Sequence, residues 1–199
     1  LETAIAEGAS EIELLGDATT TYIVKKGSPF LVARDFSRPS VEALDSSSPR
    51  VEARDFSTPH VVARESSSPS VEALDSSSPV VEAWNFSYPR VEARESSRPR
   101  VVARESSRPL VEARGSSRPF VEAWNFSSPV VEARDSSSPL VVAWNSSRPY
   151  VEARDSSRPS VEAWGETPLN EIWPGAPQAA SSWKIYPAFL RRWINSSLK

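Results

Sequence analysis

The chain has 199 residues, 39% of them hydrophobic, with eighteen prolines and a formal net charge of −3. It has no cysteine, no methionine and one histidine, which excludes a disulfide framework, a thiolate nucleophile and a cysteine metal site. The mild acidity argues against electrostatic capture of nucleic acid, and no apolar run nears the roughly 20 residues that span a bilayer.

Residues 1–30 begin without a signal peptide, and the start at Leu1 points to a fragment or processed product. Glu11-Ile12-Glu13-Leu14 alternates in polarity, and Thr19 to Val24 is rich in β-prone residues before Gly27. Two irregular strands are predicted here, as an N-terminal cap leading into the first coil at Ser28-Pro29.

From residue 31 to 160 the sequence is a decapeptide array without insertion or deletion. The first position is Val, except Leu31. The third is always Ala, the seventh always Ser and the ninth always Pro. The second is Glu or Val. The fourth is Arg, Leu or Trp, and the fifth is Asp, Glu, Asn or, once, Gly115. The sixth is Ser or Phe, the eighth is mostly Arg or Ser, and the tenth is free. The fixed positions are odd and the variable ones mostly even, which is the period-2 mark of extended chain with one constrained face. The tenth position through the fourth of the next decad is the predicted strand, as in Arg50-Val51-Glu52-Ala53-Arg54. Val51 and Ala53 point inward, Glu52 and Arg54 outward. Proline cannot donate to a ladder and belongs at a corner or strand start. Asp, Asn or Gly at the fifth position suits the other corner.

A single decad cannot bury its own apolar face, but stacked decads can. The predicted fold is therefore all-β, a single parallel β-solenoid over 31–164 with about ten residues per coil and a length of roughly 60 Å at about 4.8 Å per coil; twenty residues per coil would give about half that length, and ten is preferred because adjacent decads show no consistent alternation. A longer period of forty is superposed. It links Val62, Val102 and Val142, and it links Trp84-Asn85-Phe86 to Trp124-Asn125-Phe126. Duplication of a four-decad block accounts for it.

The pattern breaks after Trp164, and residues 165–199 are predicted as a cap or docking segment. Pro168, Pro174 and Pro177 mark a loop. Ala188 to Ile194 fits a short helix with Phe189, Leu190, Trp193 and Ile194 on one side. Trp173, Trp183, Phe189 and Trp193 are the candidates for sealing the last coil or docking a partner.

No catalytic constellation emerges, so an enzyme is not expected, and neither a cofactor nor a metal is implied. His60 stands alone at the free tenth position, without a nucleophile that it would serve as base. Paired carboxylates such as Glu52 with Asp55 or Glu92 with Glu95 recur in equivalent coils, whereas acid–base work needs two carboxylates in different environments. Glu at the second position, with Arg at the fourth and eighth, predicts an interleaved surface net. Each exposed pair in it is worth about 0–1 kcal/mol. The aromatics stand out from that net. Trp84, Trp124, Trp144 and Trp164 take the fourth position, Phe36, Phe56, Phe86 and Phe126 the sixth. Both positions are predicted outward, as a contact ladder or as Trp and Phe covering each other within a coil. Sequons at Asn85, Asn125, Asn145 and Asn195 matter only in a glycosylating host.

Decads such as VEARDSSSPL and VVARESSRPL resemble short-period β-solenoid repeats of the V-x-A-x-x-S-S kind in bacterial and phage-encoded proteins. The resemblance covers about two-thirds of the chain. It implies the architecture, and it implies fibres, adhesins and surface proteins as the setting: extracellular, cell-surface or virion. Ice-binding solenoids are similar in period only. The expected function is that of a non-catalytic rod or fibre component that self-assembles. The alternative is an adhesin module whose aromatic ladder binds an extracellular glycan or protein, with ice binding a distant third.

Overall fold

The computed structural model describes residues 3–5, 11–14, 19–164 and 183–186, with side chains over 19–164. It is an all-β parallel solenoid. The strands are β1 (Thr3–Ile5), β2 (Glu11–Leu14) and β3 (Thr21–Val24). One strand per decad then follows, from β4 (Phe30–Ala33) to β17 (Ser160–Trp164), and β18 (Trp183–Tyr186) closes the set. Most strands of the array run from the tenth position to the third, one residue short of the expected fourth, which only β15 (Leu140–Trp144) and β17 reach. Within the described residues no helix is long and apolar enough to cross a membrane. The helix expected over 188–194 and the loop marked by Pro168, Pro174 and Pro177 lie outside the described residues, as do Trp173, Phe189 and Trp193.

The coil is twice as long as expected. Val91 is in register with Val71 on one side and Val111 on the other, so neighbours in a sheet are twenty residues apart. The odd-numbered strands and β18 form one ten-stranded sheet, and the even-numbered strands form a second, eight-stranded one. The reason lies in the turn chemistry. A decad holds one strand and one corner, and one corner only reverses the chain. Two corners return it to its start, so a closed turn takes two decads. The array thus makes about seven coils, and at about 4.8 Å per coil the rod is roughly half the length expected from the shorter period.

The odd positions form the interior. First-position Val and third-position Ala are buried in every decad, as are seventh-position Ser and ninth-position Pro. Because the two sheets face each other across a single layer of side chains, only small residues fit. Backbone ladders run through the corners as well as the strands. Arg54 N–H donates to the Ala33 carbonyl at 2.9 Å, Thr58 to Ser37 at 3.0 Å, and His60 to Pro39 at 2.8 Å. The even-position donors at four, eight and ten thus reach carbonyls one coil back. The proline falls where no donor is missed.

Each corner is a tight turn closed by the seventh-position N–H on the fourth-position carbonyl, as from Ser107 to Arg104 at 3.1 Å. Both central residues have positive φ in most decads, for example Asp45 at 50° and Ser46 at 65°, the pair of values that defines a type I′ turn. Asp and Asn tolerate this region. Glu65, Glu105 and the phenylalanines occupy it with less ease.

The solenoid starts earlier than expected. Three strands, not two, precede the array, and β1 pairs in parallel with β3. Tyr22 and Val24 occupy the registers of Val41 and Ala43 and are buried, so the first coils carry a bulkier interior than the decads. At the other end β18 adds in parallel to β17, with Val161 opposite Trp183, Glu162 opposite Lys184 and Trp164 opposite Tyr186.

Candidate functional site: two faces and two edges

The twenty-residue coil sorts alternate decads onto opposite faces, and the two exteriors differ. On the even sheet the second position begins with Val32 and is then an unbroken column of glutamates: Glu52, Glu72, Glu92, Glu112, Glu132 and Glu152. Carboxylates about 4.8 Å apart repel, and a column of arginine beside them offsets it. Arg54, Arg94, Arg114, Arg134 and Arg154 each bind the glutamate two residues back, at 2.7 Å for Arg94 to Glu92 and 2.6 Å for Arg154 to Glu152. Arg94 and Arg114 also lie within 3.7 Å and 3.8 Å of the glutamate one coil earlier. The hydrogen bond that Arg94 donates to Glu92 holds Arg94 above the ordinary arginine value, although burial works against it.

The expected net is therefore present, with one correction. Its third row is the tenth position, not the eighth. Arg50 reaches Glu72 at 3.1 Å, Arg90 reaches Glu112 at 2.6 Å and Arg100 reaches Glu122 at 3.0 Å, each to the next coil. Eighth-position arginines such as Arg98 and Arg108 are exposed on the edges, and none of the ion pairs found among the described residues uses them. His60, also at the tenth position, follows the same rule: its Nε2 lies 3.3 Å from Glu82.

On the odd sheet the second position reads Glu42, Val62, Glu82, Val102, Glu122, Val142, Glu162. The forty-residue period is thus two coils. It places the three valines on one face, separating the carboxylates by about 9.6 Å. This face has fewer arginines at the fourth position, because that column holds all four tryptophans of the array: Leu44, Arg64, Trp84, Arg104, Trp124, Trp144, Trp164. Trp124 and Trp144 stack with centroids 4.9 Å apart, and Trp144 and Trp164 with centroids 5.0 Å apart. The Arg104 guanidinium lies 4.7 Å from the Trp84 ring centre, with Arg64 at 5.9 Å. Trp84 Nε1 donates to Glu82 at 3.1 Å. The tryptophans are half-buried; Trp144 is stacked between Trp124 and Trp164, and Trp84 has Arg64 and Arg104 over its ring.

The phenylalanines sit at the corners, not on a face. Phe36 and Phe56 stack on one edge at 5.5 Å. Phe86 and Phe126 lie on the opposite edge, two coils apart with Ser106 between them. All four are well exposed, from 57% for Phe56 to 69% for Phe126. The ring contacts found join equivalent positions of successive coils, Trp on Trp and Phe on Phe, and not Trp with Phe inside a coil. The edges differ in charge as well. At the fifth position the first carries six acids and Gly115, whereas the second carries Asp45, Glu65 and Glu105 with Asn85, Asn125 and Asn145, and there Asn145 Nδ2 donates to Asn125 Oδ1 at 3.3 Å. Trp183 belongs to β18, as given above.

What the sequence did not reveal is this sorting of decads onto faces. The signal was there in the spacing of forty, but it gains a meaning only once twenty residues make a coil. No family model, no curated protein and no solved structure matches the chain.

Proposed function

We propose that the chain is a non-catalytic structural rod, a fibre or scaffold component that assembles with copies of itself. The observation that carries this reading is that several exterior columns bind the coil above to the coil below. Tryptophans stack on tryptophans, Phe36 on Phe56, Asn145 on Asn125, and tenth-position arginines bridge to the next glutamate. Such contacts resist axial separation and bending, which is what a spacer requires. In repeat proteins, stability grows from these nearest-neighbour terms. Ends of a parallel stack that expose strand edges invite further strands, and a second copy of the same chain supplies the matching parallel edge.

Electron microscopy and small-angle scattering over a concentration series test the proposal. Rods that lengthen with concentration in increments of one chain, about seven coils, support it. Monodisperse short rods at high concentration contradict it.

A second reading rests on the phenylalanines. Exposed rings at the corners, unlike the tryptophans, offer free faces on which an extracellular glycan or protein can lie. A Phe126→Ser variant that loses binding to a polysaccharide retained by the parent chain would favour it over the rod alone.

A further inference from the structure

The charges and rings of the second edge are not used by their own rod. Its corners lie at 44–47, 64–67, 84–87, 104–107, 124–127 and 144–147, one per coil. Their sixth position reads Ser46, Ser66, Phe86, Ser106, Phe126, Ser146, and the eighth, just past each corner, reads Ser48, Ser68, Tyr88, Arg108, Ser128, Arg148. Among the described residues, no ion pair found uses Asp45, Glu65, Glu105, Arg108 or Arg148, and no ring contact found uses Phe86, Phe126 or Tyr88. Asn125 accepts from Asn145 through Oδ1, which leaves its Nδ2 as a donor.

The phenylalanines define a gap. Phe36 and Phe56 show that rings at equivalent corners of successive coils lie over each other, 5.5 Å apart and 9° from parallel. Phe86 and Phe126 share that corner conformation, with φ of 60° and 63° against 65° and 62°. They stand two coils apart, about 9.6 Å. Ser106 therefore leaves room for one ring between them, and Ser66 leaves a second space beside Phe86. A ring entering either space would lie about 4.8 Å from its neighbour, within the range of about 4.5–7 Å at which aromatic pairs attract.

A second copy of the chain supplies such rings at the right heights. A two-fold axis across the edge, midway between the coils of Phe86 and Ser106, sets two rods antiparallel with like columns facing. The coil of residue 45 then meets that of 145, the coil of 65 that of 125, and the coil of 85 that of 105. The rings alternate, one per coil: Phe126 of the partner, Phe86, Phe86 of the partner, Phe126. Every acid of the fifth position meets an asparagine: Asp45 faces Asn145, Glu65 faces Asn125 and Glu105 faces Asn85 of the partner. Tyr88 faces Arg108, a cation–π pairing, and no arginine faces an arginine. A parallel two-fold pair would instead press Phe86 against its own copy. The first edge has no such match, because any antiparallel register of its six acids and Gly115 sets acid against acid, which is repulsive.

We infer that two copies of the chain pair side by side and antiparallel through the second edge, the phenylalanines of each filling the serine gaps of the other. The pair rests on the reading of the chain as a rod that assembles with its own copies, and it adds a lateral contact to the axial one. The contact is isologous, each patch complementing itself. It runs over six coils, about 24 Å, and is smaller than the about 800 Å² per partner of a stable association, so the pair dissociates on dilution.

Small-angle scattering of the full chain over a concentration series reads length and width separately, and sedimentation gives the concentration of half-association. The parent is expected to form a pair wider than one rod and little longer. Ser106→Phe fills the gap that Phe86 of the partner enters, so half-association should need about tenfold more protein. Ser76→Phe adds the same apolar surface to the first edge and should leave pairing unchanged. Asn85→Glu sets a carboxylate against Glu105 of the partner and should weaken pairing to a similar degree. Adding Glu105→Asn to it should restore pairing, because acid and amide have then only traded places. Circular dichroism on each variant confirms that the solenoid is intact. Association of Ser106→Phe as tight as that of the parent overturns the inference, as does a double variant that fails to recover. Growth in length without growth in width also overturns it and leaves the self-assembling rod standing, whereas no growth in either dimension overturns both. A parent that stays single, and loses a bound polysaccharide on Ser106→Phe, gives the gap to a glycan instead.

Discussion

Trp124 and Trp144 are twenty residues apart in sequence, yet their rings stack 4.9 Å centre to centre with planes 9° from parallel. That distance is the sheet spacing itself, so the rings stand on edge from the sheet and repeat its period. Trp144 is stacked on both sides, by Trp124 and Trp164. Trp144→Ala should therefore cost about 1–3 kcal/mol, since each aromatic pair contributes about 0.5–1.5 kcal/mol beyond area burial. Denaturant unfolding measures the loss. The exciton signal of coupled indoles in circular dichroism should fall more than in Trp84→Ala, because Trp84 is flanked by arginines.

The glutamate–valine alternation on the odd face predicts a difference between two otherwise identical substitutions. Val142→Glu would place a carboxylate between Glu122 and Glu162, in a decad whose neighbouring outward residues are Leu140 and Trp144. Val102→Glu would place one between Glu82 and Glu122, but with Arg104 two residues on, where Arg94 binds Glu92. Val142→Glu should be the more destabilising by about 1–2 kcal/mol, in line with burying a charge without a partner. Part of the deficit should return at high salt. Equal costs in thermal unfolding would show that the alternation has no electrostatic role.

The seventh-position serines are fully buried. Most of their hydroxyls lack a hydrogen-bond partner within the protein, Ser107 among them. In the second and the last decad the acceptor is plain: Ser47 donates to the Val24 carbonyl at 2.9 Å and Ser157 to the Ala133 carbonyl at 3.2 Å. Small volume, more than hydrogen bonding, thus explains the residue in mid-rod. Ser107→Ala should change stability by less than about 1 kcal/mol, as expected where the hydroxyl makes little net contribution. Ser107→Val should cost about 1–3 kcal/mol through overpacking. A larger loss for alanine than for valine would reverse this assignment.

Glu105 has φ of 50° at a corner where Asn125 and Asn145 adopt the same conformation. Left-handed backbone costs a non-glycine residue about 1–2 kcal/mol, less for Asn. Glu105→Asn should therefore raise the melting temperature slightly. Glu105→Pro, whose ring fixes φ near −65°, should disrupt the turn and lower it sharply.

Much of the fold was legible because the decad is short and strict. The odd positions of Val51, Ala53, Ser57 and Pro59 gave the interior directly, and the even positions gave the Glu/Arg net. Coil length was misread. The interior shows no alternation between successive decads, because both sheets need the same small residues there. The alternation sits in the exterior instead, in Glu92 against Val102 and Arg94 against Trp84. The aromatic ladder was legible as outward but not as self-stacked, since stacking depends on which decads become neighbours.

The sequence alone determined that the chain is a parallel solenoid with a core of Val, Ala, Ser and Pro, because period-2 burial and corner chemistry are local properties. Only the tertiary structure decided that two decads close a coil. Closure depends on two corner reversals adding to a full turn. From that follows the separation of a charged face from an aromatic one, which no single decad contains.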